Sequence, residues 1–532
     1  MSRVIDCLFI GHNDMIFTDY EKIIRASGIH SGAYRDLNLS FINYKNDLYT
    51  LPEIFNFVNE KKVNKNYEQL SLSNVFSLTI AYLGSFLHRR GFSFEFVNSF
   101  QDCKEELRKI LTEDTVLTIA IPTTLYVAVY PILEIVSFIK KYNTIAKIII
   151  GGPFVSNSVS YTDDGATQYV FKIMNADFYI YSAQGEVALA EIVRSVKEDS
   201  SYEYINNVFY RKNNAYHCDQ FVEEKNKLEE NAIQWELFEN RLGRLASVRT
   251  TLSCPFECSF CEYPKRAGKY YTISINNIEK ELDQIDSFGK VKNLMFIDDT
   301  FNVPPERFKE ILRLLIRKNY GFSWYSYFRC QFADRETVEL MKQSGCDGVI
   351  LGIESANQTV LNNMNKHVTV EQYQKGLSLL NEYGITTHAS FIIGFPGETE
   401  DSYMDTVNFI KEYKPTFYRT QIWYCSTLAP IWSQKNKYGI KGSGFEWSHA
   451  TMDSSEACNL MERMFLDIKS SVWVPQYDFD FSGIVNLLKR EYSLEQIKLF
   501  LECFNDGVRK KIISPDNKEV DDQYMKRIKE LL

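Results

Sequence analysis

The chain opens on an apolar, strand-like run at residues 4–11, after which clear periodicity fades as far as residue 72. The segment 1–72 therefore reads as an N-terminal extension. From residue 73 the pattern alternates between helical and strand periods. It predicts an amphipathic helix over 75–90, strands over 94–98 and 116–122, a helix over 132–142, and a buried strand over 147–150 that ends in Gly151-Gly152-Pro153. A strand over 177–181 and a helix over 187–197 continue the series. Buried strands alternating with helices imply a parallel sheet covered on both faces, a doubly wound α/β domain spanning 73–202. Such sheets bind ligands beyond the carboxyl ends of their strands, so the loops at 123–124, 151–157 and 183–186 are the expected rim of a site.

A polar connector follows over 203–240, with a hairpin signal at Asn213-Asn214. A second α/β unit is expected over 241–425. Its strands read 245–252, 293–297, 324–329, 348–353, 386–393 and 417–423, separated by helices at 275–288, 305–318, 334–344, 356–364, 370–383 and 399–413. Successive βα units of this kind predict a partial (β/α)6 barrel whose chemistry lies at the C-terminal strand ends. The remaining stretch, 426–532, is mixed, mainly helical and rich in aromatic residues.

Composition narrows the function classes. At 532 residues the chain exceeds one ordinary core, and 45% hydrophobic with 24% charged residues is an ordinary globular balance. A formal net charge of −9 argues against nucleic acid as a partner. No run reads as a signal peptide or approaches a membrane span, so a cytoplasmic protein with no membrane partner is expected. Eleven cysteines are scattered along the length, with one cluster, which is not the layout of a disulfide framework.

That cluster is Cys254, Cys258 and Cys261, directly after the first strand of the second unit. Three thiolates in a CxxxCxxC spacing can ligate three irons of a [4Fe–4S] cubane and leave the fourth open to a small molecule. Zinc is the competing metal, although structural zinc takes four protein ligands and no fourth Cys or His lies nearby in sequence.

The loop resembles that of the radical S-adenosylmethionine superfamily, and the resemblance implies that the open iron binds S-adenosylmethionine for reductive cleavage to a 5′-deoxyadenosyl radical. Other strand ends are similar to that superfamily as well. Asp298 and Asp299 end the second strand where the family contacts the ammonium group; helix capping is the alternative for Asp299. Arg329 ends the third as a carboxylate-binding guanidinium or a structural ion pair. Glu354 and Ser355 end the fourth, where the family places a ribose contact, and Gly394 lies in a loop like the one that packs adenine.

A sheet domain ahead of such a barrel resembles the cobalamin-binding domain of the B12-dependent branch. By that resemblance Thr123, Thr124, Gly151, Gly152, Gly185 and Glu186 are the expected cobalamin contacts. The DxHxxG sequence that supplies a lower cobalt ligand in many other B12 proteins is missing, and His88 reads as a helix-end residue. The longest similarity is to the PhpK-type P-methyltransferases, through stretches such as 6–13, 121–126, 266–270, 296–304, 421–424, 445–449 and 471–475. It implies transfer of a methyl group from methylcobalamin to an unactivated P–H (phosphinate) or C–H centre in natural-product biosynthesis, with a small molecule or peptide as substrate. A flavodoxin- or ferredoxin-type protein would be the electron donor. Tyr424 and His449 are the candidate catalytic residues, and Trp423, Trp432, Phe445, Trp447 and Trp473 could line the pocket or simply form core. A non-methylating cyclisation, oxidation or rearrangement with the same cofactors, and a non-enzymatic cobalamin or iron–sulfur sensor, are the other readings.

Overall fold

The computed structural model describes residues 3–59, 69–71, 75–126, 128–475, 477 and 479–532. The expected boundary at 72/73 lies outside the described residues. The chain divides into two compact units, 1–15 with 75–247 and 265–291, and 16–74 with 248–264 and 292–532.

The first unit is built on a seven-stranded sheet. Its parallel part runs Phe94–Ser99, Val4–His12, Thr115–Pro122, Lys147–Gly151 and Phe178–Ile180. Numbered along the chain, that order is 2-1-3-4-5, the flavodoxin-like doubly wound topology. The strand Val4–His12, placed in an extension by its position in the sequence, is the sheet's second strand. Seven of its nine residues are buried, the signature of a strand covered on both faces. Asp6 interrupts the apolar run but is neutralised by Lys197 at 2.8 Å and accepts from the Ser93 amide at 2.8 Å. The helix Leu78–His88 and the helix Tyr130–Tyr142 fall where the periodicity put them. The helices Lys104–Glu113, Pro153–Tyr161 and Asp164–Met174 are additional. The expected connector is also structured. Asn213 and Asn214 both adopt positive φ, 48° and 64°, and join Val208–Lys212 to Ala215–His217 in an antiparallel hairpin that extends the sheet. Two consecutive left-handed residues are what a two-residue hairpin turn requires, and asparagine tolerates them.

The second unit contains the barrel. After Val248 its parallel strands are Asn293–Phe296, Ser323–Phe328, Cys346–Glu354, Thr386–Ile393 and Phe417–Ile422, hydrogen-bonded in chain order. A further parallel strand, Val472–Trp473, pairs with the last of these. The first barrel strand breaks at Arg249, so the expected run 245–252 becomes Leu245–Val248 and Thr251–Leu252. The region after 425 holds a three-stranded antiparallel sheet, Lys441–Ser443, Glu446–His449 and Met452–Asp453, as well as its helices.

Residues 16–59 fold onto the C-terminal part of this unit instead of extending the first. Arg35 pairs with Glu462 at 2.7 Å, Tyr44 donates to Asp522 at 2.6 Å, and the Lys511 ammonium donates to the carbonyls of Asn38 and Phe41, each at 2.6 Å. No helix among the described residues is long and apolar enough to cross a membrane.

Candidate functional site

The three cysteines lie on one loop at the C-terminal end of the first barrel strand. Ser253, just before it, has φ +66° and turns the chain into the loop. The loop is pinned from several sides. The Ser259 amide donates to Met364 O at 2.8 Å, its hydroxyl to Asn363 O at 2.6 Å, and Asn365 Nδ2 to Glu257 O at 2.8 Å. Cys258 is 7% exposed, and Cys254 and Cys261 are half-buried. Burial is the main cause that raises the thiols of Cys254 and Cys261, the latter to about 11, and neighbouring cysteines add to both shifts. Three thiols this close resist ionising together unless a cationic centre binds them, which is the condition a cluster satisfies. The hydroxyls of Thr251 and Ser253 beside the loop are buried without hydrogen-bond partners. Among the described residues no group of three His, Cys, Asp or Glu side chains closes around a single ion; a cubane instead spreads its thiolates over separate irons.

The two faces of the barrel sheet differ. Strand register puts Tyr327, Ile350 and His388 on one face, with Gly352, Ser390 and Arg419 beyond them in the strand direction. The opposite face, with Trp324, Val349, Leu351, Ala389 and Phe391, is buried. On the first face Tyr327 keeps 41% of its surface exposed, and Asp299 is exposed too. Desolvation nevertheless raises both groups' pKa values as the leading cause. Accessible surface combined with strong desolvation is what side chains lining a concavity show.

The sequence candidates distribute unevenly over this cleft. Asp299 faces it, with Tyr263 and Arg249 as its electrostatic partners. Asp298 does not: it is 2% exposed and accepts from the Thr250 amide at 2.7 Å, the Thr251 amide at 2.7 Å and the Thr250 hydroxyl at 2.6 Å. Its role in the structure is to hold the segment leading into the cysteine loop. Arg329 donates to Lys366 O at 2.7 Å and lies 3.6 Å over the Phe256 ring, inside the cysteine loop. Glu354 has φ +67° and pairs with Lys366 at 3.3 Å. Ser355 is fully buried and its hydroxyl accepts from the Asn357 amide at 3.2 Å.

Gly394 has φ +83°, and a Cβ there would strike the Trp447 ring and Ala457. Its amide donates to Glu398 at 2.5 Å and its carbonyl meets His449 Nε2 at 3.0 Å. His449, expected as a catalytic residue, is therefore engaged by the backbone of the Gly394 loop. Its other nitrogen meets the Thr451 hydroxyl at 3.1 Å, it stacks on Trp447 at 5.1 Å, and burial lowers its pKa. Trp423, Trp447 and Trp473 are 2%, 4% and 1% exposed and form core. Tyr424, 53% exposed, stays open and packs edge-on against Phe445.

In the first unit the topological switch point falls between Val4–His12 and Thr115–Pro122, where this topology places its ligand. Thr123 is fully buried and bonds the glycine turn, with its amide and hydroxyl each donating to Gly151 O at 2.8 Å. Its hydroxyl also accepts from the Phe154 amide at 3.1 Å. Gly152 has φ +105°, and a Cβ there would come within 3.0 Å of the Thr123 hydroxyl. Thr124 is exposed, 3.3 Å from the Thr79 hydroxyl. Gly185, φ +77°, starts a helix whose first amides are bonded by Glu224, while Glu186 is 5% exposed and bonded by Asn226 at 2.7 Å. Residues 224–226 thus bond the Gly185–Glu186 end of that loop, while Ala183 stays exposed. The residues sequence reasoning missed are His12 and Tyr126 at the switch point. His12 Nε2 lies 2.7 Å from Asp14 and its ring stacks on Tyr126 at 5.3 Å. The Tyr126 hydroxyl accepts from the Asn13 amide at 2.8 Å, tying the two loops together. The available signal was a buried apolar run ending in a histidine.

Comparison with known proteins places this geometry. Residues 248–410 match the radical SAM superfamily model. An uncharacterized methyltransferase of Pyrococcus horikoshii is 25% identical over 54% of this chain, and the chain spans only 62% of that protein's length. The radical S-adenosylmethionine methyltransferase TsrM from Kitasatospora setae, solved with cobalamin and a [4Fe–4S] cluster, matches with a TM-score of 0.54 at 15% identity, covering 81% of this chain and 74% of that one. The cobalamin-dependent S-adenosylmethionine radical enzyme OxsB, solved with aqua-cobalamin and S-adenosylmethionine, matches with a TM-score of 0.53 at 14% identity over 94% of this chain and 76% of that one. At these identities the two structures establish the fold: a Rossmann-like α/β domain together with a parallel barrel. With the cysteine loop at the end of its first barrel strand, this chain carries a radical S-adenosylmethionine domain at residues 248–410.

Proposed function

We propose that the protein is a cobalamin-dependent radical S-adenosylmethionine methyltransferase acting on an unactivated P–H or C–H centre. The observation that carries this reading is the cysteine loop at the end of the first barrel strand, beside a concave barrel face, in a chain whose other sheet has the doubly wound topology that binds ligands at its switch point. The likeness to TsrM and OxsB supports both cofactors, and the P. horikoshii relative supports methyl transfer. The finer assignment to the PhpK type, with a phosphinate acceptor in natural-product biosynthesis, rests on the matching sequence stretches.

Bound in these sites, the cluster would supply reductive cleavage of S-adenosylmethionine, and cobalamin would supply a methyl group at cobalt. The chain's own residues do the rest. Cys254, Cys258 and Cys261 hold the cluster, and Asp299 faces the cleft as the carboxylate for the ammonium group of S-adenosylmethionine. Gly394, whose missing Cβ makes room for Trp447 and Ala457, is fixed by Glu398 and His449 in the loop that would pack adenine. Thr123, Thr124, Gly151, Gly152, His12 and Tyr126 shape the cobalamin rim. A flavodoxin- or ferredoxin-type donor supplies electrons.

Anaerobic reconstitution with hydroxocobalamin, followed by mass spectrometry of products from candidate phosphinates and peptides, tests the reading. Transfer of a labelled methyl group to product is the expected outcome. Continued 5′-deoxyadenosine formation with an unlabelled product would favour the non-methylating reading instead.

A further inference from the structure

The concave face carries a cation that the roles above leave unused. Two arginines stand level with each other on it, because register aligns Ser390 with both Gly352 and Arg419, and Arg329 follows Phe328, the partner of Leu351. They sit three strands apart, about 14 Å at the usual strand spacing. Arg329 is committed to Lys366 O and to the Phe256 ring. Arg419 Nε has no such partner among the described residues. The guanidinium forms no ion pair among them, and its Nε is buried without a hydrogen-bond partner. A desolvated guanidinium N–H with no acceptor is costly, and a bound oxyanion relieves that cost.

A second, independent observation lies diagonally beside it. His388 is 1% exposed, and both of its ring nitrogens are buried without partners. It faces the same side, one strand over and one level lower, within reach of a long side chain. Its ring rests on Phe481, which also packs against Tyr325 on the same face. The floor here is therefore apolar, and the orphaned polar atoms sit above it. Other charges reach Arg419 without pairing with it. Asp36, from the helix Gly32–Leu37, feels the guanidinium. Tyr327 feels both Arg419 and Asp299, which links this position to the S-adenosylmethionine side of the cleft.

We propose that Arg419 is the anion-binding residue of the acceptor site, pairing with a carboxylate or phosphinate group on the substrate while His388 completes the oxyanion's hydrogen bonding. The inference rests on reading the concave face as the reaction site, and it gives the substrate class: a compact molecule bearing a two-oxygen anion. Arg419 is a specificity-determining residue, outside the group that triggers the chemistry.

The test is titration calorimetry of the reconstituted full chain with methylphosphinate and with acetate, using acetamide as the neutral control. Both anions should bind the wild type, Arg419→Gln should weaken them at least tenfold, Arg419→Lys should weaken them less, and acetamide should not bind. Phenylglyoxal labelling of wild-type Arg419, read by peptide mass spectrometry, should be slowed by the anions and unaffected by acetamide; this decides the matter if Arg419→Gln does not fold. Failure of the anions to bind the wild type, equal binding by Arg419→Gln, or unprotected labelling overturns the assignment. The underlying reading is scored separately by 5′-deoxyadenosine formation in the wild type. Its absence at full cluster content defeats that reading, and the anion measurements still decide the role of Arg419.

Discussion

Asp298 and Asp299 are consecutive and face opposite ways: Asp298 turns inward to bond Thr250 and Thr251, while Asp299 lies exposed on the concave face. The alternation continues the pleat of Asn293–Phe296 past its last residue. One carboxylate therefore builds the cysteine loop's support, and the other faces the cleft beside Tyr263 and Arg249. Asp298→Asn should weaken charge-assisted hydrogen bonds worth about 1.5–3 kcal/mol each when broken, lowering the melting temperature and the iron content together. Asp299→Asn should leave the melting temperature within a degree or so and weaken S-adenosylmethionine binding about tenfold. Equal effects on both properties from the two variants would contradict the division.

Cys258→Ala should abolish cluster assembly, because two thiolates on this loop cannot hold the cubane. Iron and sulfide analysis after anaerobic reconstitution checks it, and full content in the variant would show the ligand assignment to be wrong.

Glu398 gives a pH dependence. It is fully buried, and burial pushes its carboxyl from 4.5 to about 8, opposed by the Gly394 and Phe395 amides. Between these values the folded chain keeps a proton that the unfolded chain has lost, so this group's contribution to stability is fully present below about pH 4.5 and is lost as pH rises through about 8. Glu398→Gln, which keeps an acceptor for the Gly394 amide, should flatten this component. Melting temperatures of the two proteins measured from pH 5 to 8.5 should converge at the acid end and diverge at the alkaline end. Parallel profiles would mean that Glu398 is not the titrating group.

His449→Ala should behave as a loss of support. Removing the contact to Gly394 O costs about 1–3 kcal/mol and should weaken S-adenosylmethionine binding, with His449→Gln recovering much of both. A pH–rate profile that loses a limb in His449→Gln while affinity is unchanged would instead make it an acid or base.

In the first unit, Thr123→Val removes the hydroxyl that bonds Gly151 O and the Phe154 amide. Cobalamin binding, followed by its visible spectrum, should fall markedly, while iron loading should persist. Unchanged cobalamin affinity would move the site away from this turn.

Much of this was legible in the sequence where local signals are strong. The barrel strand Thr386–Ile393 and the helix Pro305–Lys318 have the bounds that periodicity and the flanking prolines and glycines imply. The cysteine spacing located the loop. What escaped depends on long-range pairing. Val4–His12 lies in sequence far from its partners at 94–99 and 115–122, and nothing local says that a lone strand joins a sheet. The inward turn of Asp298, the bonding of the helix start at Glu186 by Glu224 and Asn226, and the contact of His449 with Gly394 O are set by neighbours dozens of residues away. Arg419 was missed for a related reason: an arginine in a strand is unremarkable until the structure shows that it forms no ion pair among the described residues and that its Nε is buried without a partner.

The most direct test of the central claim is to incubate the reduced, cobalamin-loaded protein with S-adenosylmethionine carrying a deuterated methyl group. Both 5′-deoxyadenosine and the label on the corrin fraction are then followed by mass spectrometry. A cobalamin-dependent radical methyltransferase gives both. Full cluster and cobalamin content with neither product would contradict the account.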